Sequence, residues 1–168
     1  MNFTGASYVN IGDPVSGILD FGTGDFSATA WVKTTESAAQ RCILSKAGGG
    51  LGFRFGYDAG RPYYLLGGTI TYQEGVIGST TLNDGSWHHL VMLYSYSGSM
   101  IYAYIDGVSA GSTPITSTVG SISNTDPVYV GSMSGAGSGN VTGSIDEVRM
   151  YSKLVSTTEI SSLYNMGR

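Results

Sequence analysis

One stretch of the chain, residues 87–107 (WHHLVMLYSYSGSMIYAYIDG), constrains the fold more than any other. Two apolar runs flank a tip rich in serine and glycine, and an Asp-Gly pair follows the second run, which is the pattern of a β-hairpin with turn residues at both ends. A turn centred on Ser97–Gly98 places Tyr94 opposite Ile101. The stretch is therefore predicted to form two paired strands in this register.

Side chains alternate across a strand, so the predicted hairpin has two faces. One face carries Leu90, Met92, Tyr94, Ile101, Ala103 and Ile105. The other face carries His89, Val91, Leu93, Met100, Tyr102 and Tyr104. Neither set is polar enough to be left in water. The hairpin is predicted to lie centrally in a sheet that is covered on both sides, or covered on one side and lined with tyrosine on the other.

Length and composition favour one all-β domain over residues 1–168. A chain of 168 residues is long enough to bury a core without disulfides. Its 26 glycines separate short apolar alternations, which is typical of an ordered β-protein with many turns. Ser156 and Glu159 form a capping box before an apolar stripe that contains Ile160 and Tyr164, so one short C-terminal helix is predicted.

Charge and hydropathy exclude several classes of partner. The formal net charge is -4 and lysine and arginine form no run, so nucleic acid is not an expected partner. No apolar segment approaches membrane-spanning length, so insertion into a membrane is not expected. The single cysteine, Cys42, rules out an intrachain disulfide and lies in an apolar stretch, where a buried thiol is expected.

The N-terminal residues lack the basic start and apolar core of a signal peptide. The chain is therefore expected to be a domain of a longer exported protein, or a product that folds in the cytoplasm and serves in a virus or phage particle. In both cases the expected place of action is extracellular or on a particle surface.

Six segments of the chain carry a resemblance to a known family. They are FSATAWVK (Phe26–Lys33), ILSK (Ile43–Lys46), LNDGSWHHLVMLY (Leu82–Tyr94), YIDG (Tyr104–Gly107), VYVGS (Val128–Ser132) and GSIDEVRMYSKLVSTTEISSLY (Gly143–Tyr164). In this order they resemble the laminin-G-like and concanavalin A-like jelly-roll domains, in the bacterial and viral branch related to pentraxins. The resemblance covers nearly the whole chain and implies an all-β, two-sheet antiparallel jelly-roll sandwich, in agreement with the strand pattern.

One pair of histidines and one pair of acids suggest a catalytic role, but the spacing of each pair argues against it. His88 and His89 are adjacent on a predicted strand, so they point to opposite faces and cannot chelate one ion together. Asp146 and Glu147 are expected to face opposite ways for the same reason, whereas a glycosidase needs two acids about 5–9 Å apart across a bound sugar. No enzymatic activity is therefore expected. The resemblance also implies that Trp87 anchors the core at the start of its strand.

The resemblance implies one cofactor, a structural calcium ion. Many relatives bind it through a carboxylate in an ID-x-V-R-x-Y motif of the last strand and oxygens near the start of the first long strand, and Asp146 and Asp25 match these positions. The alternative is that Asp146 accepts hydrogen bonds from backbone N–H groups, because a site with one or two acids binds calcium weakly. The acid-rich loop of the separate pentraxin calcium site corresponds to residues 132–140, which contain no acid, so pentraxin-type binding is not expected.

The chain contains twelve tyrosines, several of which are expected outside the core. Glycan sites combine aromatic faces, which cover the C–H patches of a sugar, with polar groups that contact its hydroxyls. The alternative is that tyrosine simply suits half-buried strands. The predicted ligand-binding residues are Tyr57, Arg61, Tyr63, Tyr72, Tyr102 and Tyr104.

These observations predict a non-catalytic carbohydrate-binding or adhesion module whose partner is a glycan or a cell-surface polymer. The alternative is a structural or decorating subunit, for example of a virus or phage particle, that contacts other protein subunits. That alternative is motivated by a chain that starts at Met1 without an export signal and ends where the predicted domain ends.

Overall fold

The computed structural model describes residues 1–47, 49–116, 118–135 and 138–167. The described part contains twelve strands and one helix. They are β1 (Asn2–Thr4), β2 (Val9–Gly12), β3 (Phe26–Lys33), β4 (Arg41–Lys46), β5 (Gly52–Asp58), β6 (Arg61–Gly67), β7 (Tyr72–Val76), β8 (Trp87–Ser95), β9 (Met100–Ile105), β10 (Val108–Pro114), β11 (Val128–Val130), β12 (Thr142–Tyr151) and α1 (Thr157–Met166).

The strands form two six-stranded antiparallel sheets. Sheet A has the order β1-β12-β3-β8-β9-β10, and sheet B has the order β2-β11-β4-β5-β6-β7. The core lies between them, where Phe26 of sheet A stacks on Tyr94 at 4.3 Å and lies 5.4 Å from Phe53 of sheet B, measured between ring centroids. The predicted all-β, two-sheet antiparallel sandwich with one short C-terminal helix is confirmed.

The β8–β9 hairpin has the predicted register. Tyr94 lies opposite Ile101, and Val91 lies opposite Tyr104. The face with Tyr94 is buried in the core, and the face with Val91 points away from sheet B, on what we call the outer face of sheet A. The turn Asp106–Gly107 joins β9 to β10 with φ values of 54° and 79°, as a two-residue type I′ turn requires.

Helix α1 packs on the outer face of sheet A. It begins with the predicted capping box, in which the Ser156 hydroxyl accepts the Glu159 backbone N–H at 3.2 Å and the Glu159 carboxylate accepts the Ser156 N–H at 2.7 Å. Ile160 of the helix belongs to the same buried cluster as Val91 and Leu93 of β8. The helix thus removes apolar sheet surface from water, which is the main driving force for its docking.

Two further properties of the described residues bear on function. Cys42 is buried as predicted, and burial raises the pKa of its thiol to about 12, so the thiol stays protonated at neutral pH. No helix in the described ranges has the length and apolar character needed to cross a membrane.

Candidate functional site

The structure separates the six predicted ligand-binding residues. Tyr57 and Tyr63 are buried, with 0% and 1% of their surface exposed. Their hydroxyls contact the Glu36 carboxylate at 3.3 Å and the Glu74 carboxylate at 2.6 Å. Both residues lie on the central strands of sheet B, where either face is covered, and a buried ring offers no face to a sugar. The structure therefore does not support these two tyrosines as stacking residues.

The other four predicted residues do not form one surface. Tyr102 and Tyr104 are half-buried against the cluster under α1. Arg61 is partly exposed at the start of β6, and Tyr72, with 64% of its surface exposed, pairs with Gly67 at the other end of that strand. Six extended residues separate these two ends, about 20 Å. Of the predicted tyrosines, only Tyr72 presents an open ring.

The two predicted calcium ligands also lie apart. Asp146 is opposite Trp31 in the ladder of β12 and β3, and Asp25 lies six residues before Trp31 in the chain. That separation is about 20 Å in extended chain, so the expectation that the two carboxylates share one ion is wrong. Asp25 instead accepts the Ser97 N–H at 3.0 Å and its hydroxyl at 2.7 Å. Asp146 accepts the Glu147 N–H at 2.9 Å, as its alternative interpretation proposed.

A buried lysine occupies the place where hard oxygen ligands converge. The Lys46 ammonium lies 2.9 Å from an Asp13 carboxylate oxygen and 3.2 Å from one of Asp20. It also donates to the backbone carbonyl of Asn124 at 2.5 Å. Such oxygens are the ligands that calcium prefers, and here the protein's own cation satisfies them. Within the described ranges, no group of three or more His, Cys, Asp or Glu residues is arranged to hold a metal, so calcium stays a prediction without assigned ligands.

A cleft of about 550 Å³ lies on the outer face of sheet A, beside the C-terminal end of α1. Strands β3, β8 and β12 supply its floor and one wall, and the helix supplies the other wall. We call it the aromatic cleft, and its lining residues are Trp31, Trp87, Asp146, Glu147, Tyr164 and Gly167.

The floor of the aromatic cleft is formed by the packed rings of Trp31, Tyr164 and His89. The Trp31 ring lies 5.6 Å from the Tyr164 ring, with 19° between their planes, and 5.4 Å from the His89 ring. A Cβ added to Gly167 would lie 2.2 Å from the Trp31 indole nitrogen, so this close approach of the chain requires glycine. Trp31 is only 7% exposed, and its indole N–H has no hydrogen-bond partner among the described residues.

Trp87 gives the cleft its accessible aromatic surface. It is the first residue of β8, and 42% of its surface is exposed. The expectation that Trp87 anchors the core is therefore wrong, because the strand begins at the edge of the packed region and this side chain lies on the outer face.

A β-bulge in β12 brings both acids to the cleft. The register shifts between Asp146 and Arg149, and Glu147 adopts a left-handed backbone conformation with φ of 52°. An inserted residue breaks the alternation of side chains, so the expectation that Asp146 and Glu147 face opposite ways is wrong. The Glu147 carboxylate forms an ion pair with Arg149. Asp146 has no ion pair within the part of the chain that the structure describes.

Two histidines under and beside the cleft have different protonation. Burial lowers the pKa of His89 to about 4, so its ring is neutral at physiological pH. His88 contacts Asp106 at 2.8 Å and Asp84 at 3.0 Å. Burial acts to lower the pKa of His88, but these hydrogen bonds and the two carboxylate charges outweigh it and raise that pKa. The two side chains do not converge on one ion.

The sequence matches a family model over residues 3–161, and that model describes the concanavalin A-like lectin/glucanases superfamily. The chain belongs to this superfamily. The resemblance predicted from the six segments is thereby confirmed. No curated protein matches the sequence of this superfamily member.

Solved structures show the same fold. The CBM40 domain of the Ruminococcus gnavus IT-sialidase has a TM-score of 0.78 at 14% identity, covering 98% of this chain and 95% of that domain. The binding domain of Paraclostridial Mosquitocidal Protein 1 has a TM-score of 0.74 at 14% identity, with 99% of this chain and 47% of that chain covered. The receptor binding domain of botulinum neurotoxin C/D mosaic serotype has a TM-score of 0.75 at 13% identity, covering 98% and 41%.

This superfamily member therefore spans nearly the full CBM40 domain and less than half the length of the two toxin domains. At these identities the likeness establishes the lectin-like jelly-roll fold.

Proposed function

We propose that this chain is a non-catalytic carbohydrate-binding module and that a glycan binds in the aromatic cleft. The observation that carries the proposal is the exposed ring of Trp87 in one cleft with two carboxylates. Aromatic faces cover the apolar C–H patches of a sugar, and carboxylates accept hydrogen bonds from its hydroxyls. The stacked rings of Trp31 and Tyr164 hold this surface in a fixed shape, which lowers the entropy cost of binding.

The comparisons support the class of function. The R. gnavus domain is known bound to α2,3-sialyllactose and to α2,6-sialyllactose, and the binding domain of botulinum neurotoxin DC is known in complex with SialylT. A shared fold alone does not transfer a ligand, because sites are built separately on each scaffold. A glycan-binding role fits a place of action outside the cell or on a particle surface.

The arrangement of the acids favours binding over hydrolysis. Both carboxylates come from adjacent positions of one bulged strand and lie on the same wall of the cleft. A glycosidase instead needs its two acids on either side of the bond that is cleaved. Glu147 is in addition held by its ion pair with Arg149.

Removing the exposed ring tests the proposal. A glycan array identifies ligands, and calorimetric titration then compares wild type with Trp87→Ala and Tyr72→Ala. We expect Trp87→Ala to weaken binding at least about tenfold, because a central aromatic contact contributes more than about 1 kcal/mol. Tyr72 is the matched control, an exposed aromatic on the other sheet, and its removal should leave the affinity unchanged. Loss of binding in Tyr72→Ala alone would contradict the proposed location.

A second candidate function is contact with other protein subunits. Five large apolar side chains are exposed on the edge strand β2 and near it, within residues 8–18: Tyr8, Val9, Ile11, Val15 and Ile18. Exposed apolar residues on a strand edge favour association with another chain. Light scattering across a range of concentrations, on wild type and Ile11→Lys, tests for self-association, and a wild-type assembly that the substitution does not weaken would contradict a role for this edge.

A further inference from the structure

The charge pattern of the aromatic cleft narrows the class of glycan. We infer that the cleft selects uncharged pyranose residues over acidic ones such as sialic or uronic acids. The inference rests on the proposed function, because it concerns the same site. Its basis is that the cleft offers negatively charged hydrogen-bond acceptors and presents no unpaired cation in its described lining.

The acceptors are the two carboxylates. Asp146 is exposed, and one of its oxygens accepts the Glu147 N–H at 2.9 Å, which leaves the other oxygen for a ligand. Sugar hydroxyls donate to carboxylates in charge-assisted hydrogen bonds, which are among the stronger ones available. The carboxylate of an acidic sugar has no proton to donate at neutral pH and brings a like charge instead.

The indole N–H of Trp31 is not offered to a ligand. It has no partner among the described residues, and its nitrogen is closed to solvent where Gly167 packs against it. Trp31 contributes instead through the packing of its ring against Tyr164, which holds the lining in place. The groups that a ligand meets beside the exposed Trp87 ring are therefore the two carboxylates, and the hydroxyls of an uncharged sugar satisfy them.

The two cations nearest the cleft among the described residues, Arg149 and Lys33, do not change this pattern. Arg149 is already paired with Glu147, so its charge is balanced within the protein. Lys33 lies opposite Trp87 in the β3–β8 ladder and does not line the cleft. An acidic sugar that paired with Arg149 would leave the Glu147 carboxylate without its partner. This unpaired charge would penalise binding of the acidic sugar relative to the uncharged one.

Matched ligands that differ by one carboxylate test the inference. The probes are methyl β-glucoside with methyl β-glucuronide, methyl β-galactoside with methyl β-galacturonide, and lactose with 3′-sialyllactose, each titrated into wild type, Trp87→Ala and Asp146→Asn. We expect the uncharged member of the tightest-binding pair to bind at least about tenfold more tightly than the acidic member. Raising the salt concentration should reduce this ratio, because surface charges are screened.

Asp146→Asn tests the cause of the selectivity. It removes the charge and keeps a hydrogen-bonding group at an exposed position, so the protein should fold and the ratio should fall to within about threefold. If the acidic sugar of a pair bound more tightly than the uncharged one, and Trp87→Ala weakened that binding, the inference would be overturned and the proposed function would stand. An unchanged ratio in Asp146→Asn would also overturn it. If no probe and no array glycan bound, or if Trp87→Ala left the affinity unchanged, the inference and the proposed function would both be overturned.

Discussion

The two sheets both carry apolar residues on their outer faces, and they cover them in different ways. On sheet A a separate element does so, because α1 lays Ile160 onto the sheet and places Tyr164 against the ring of Trp31. On sheet B no helix does so in the described ranges, and the small outer cluster that buries Cys42 and Tyr63 is covered by Val76 of β7 and by Met133 of the loop after β11. The helix ends before it has covered the whole of sheet A, and the aromatic cleft is the part of that face left open.

Sheet B has a cleft as well, of about 460 Å³, beside Tyr72. There Glu74 accepts the Tyr63 hydroxyl at 2.6 Å, and Arg54 donates to the Ala47 carbonyl at 3.0 Å while its buried Nε has no partner among the described residues. The aromatic cleft differs in having two carboxylates in its lining and the stacked rings of Trp31 and Tyr164 behind the exposed Trp87. An exposed aromatic ring or an unpaired polar atom is therefore not enough to identify a site, and the packed rings and carboxylates beside it make the distinction.

Detaching the helix should produce the largest effect on sheet A. Ile160 is fully buried, so Ile160→Ala is expected to lower the free energy of unfolding by about 2–5 kcal/mol through lost apolar contact and a cavity. Glycan binding should weaken too, since the helix holds Tyr164 in place. Denaturant titration gives the free energy, and Ser161→Ala, on the exposed side of the helix, is the control expected to change it by less than about 0.5 kcal/mol. An Ile160→Ala variant as stable as this control would show that the helix is not docked as described.

Acid should destabilise the protein through sheet A, because both histidines of the chain are on β8. The pKa of His89 is about 4 in the folded protein, whereas the ordinary value of 6.5 applies to the unfolded chain. Between these two pH values the unfolded chain therefore binds more protons than the folded protein. His89 therefore does not lower the free energy of unfolding above about pH 6.5. As the pH falls towards 4, that free energy drops by up to about 3 kcal/mol, because the folded protein keeps the ring neutral. The raised pKa of His88 acts in the opposite direction, with stability lost as the pH rises through it.

His89→Phe isolates this effect, since it keeps a ring beside Trp31 and cannot be protonated. Unfolding free energies measured from pH 7 to pH 4 should fall less steeply in this variant than in wild type. Equal slopes in the two proteins would contradict the assignment of acid sensitivity to His89.

The bulge in β12 should show a smaller, conformational effect. With φ of 52°, position 147 favours glycine and disfavours a β-branched residue. Glu147→Gly should keep the free energy of unfolding within about 1 kcal/mol of wild type, and Glu147→Val should lower it by about 1–2 kcal/mol. Both variants lose the carboxylate and its pair with Arg149, so the difference between them reports the backbone alone. A valine variant as stable as the glycine variant would argue against the left-handed conformation.

Features encoded within short stretches of sequence were predictable. The register of the β8–β9 hairpin follows from alternating apolar residues and the turn between them, and the start of α1 follows from Ser156 and Glu159. The sandwich follows from the number of such strands and from the family resemblance of ordered segments. In each case the residues that determine the structure are close together in the chain.

The aromatic cleft was not predictable in the same way. Trp31 and Tyr164 meet only because β3 and α1 share one face of a sheet, a contact between distant parts of the chain. The bulge at Glu147 has no glycine or proline at its position to indicate it. Tyrosine identity does not reveal burial either, since Tyr57 is in the core and Tyr72 is exposed. Predicting the site required the position of each side chain relative to the other elements.

Nuclear magnetic resonance of the indole N–H groups shows directly whether a glycan binds in the aromatic cleft. The chain has two tryptophans, Trp31 and Trp87, and both line the aromatic cleft, so the two indole signals report on this site alone. On titration with a glycan that binds, both signals should shift in a saturable way, because the glycan contacts the Trp87 ring and changes the surroundings of the Trp31 ring beside it. Saturable shifts of backbone amides around Tyr72 with both indole signals unmoved would contradict binding in the aromatic cleft and place the glycan on sheet B.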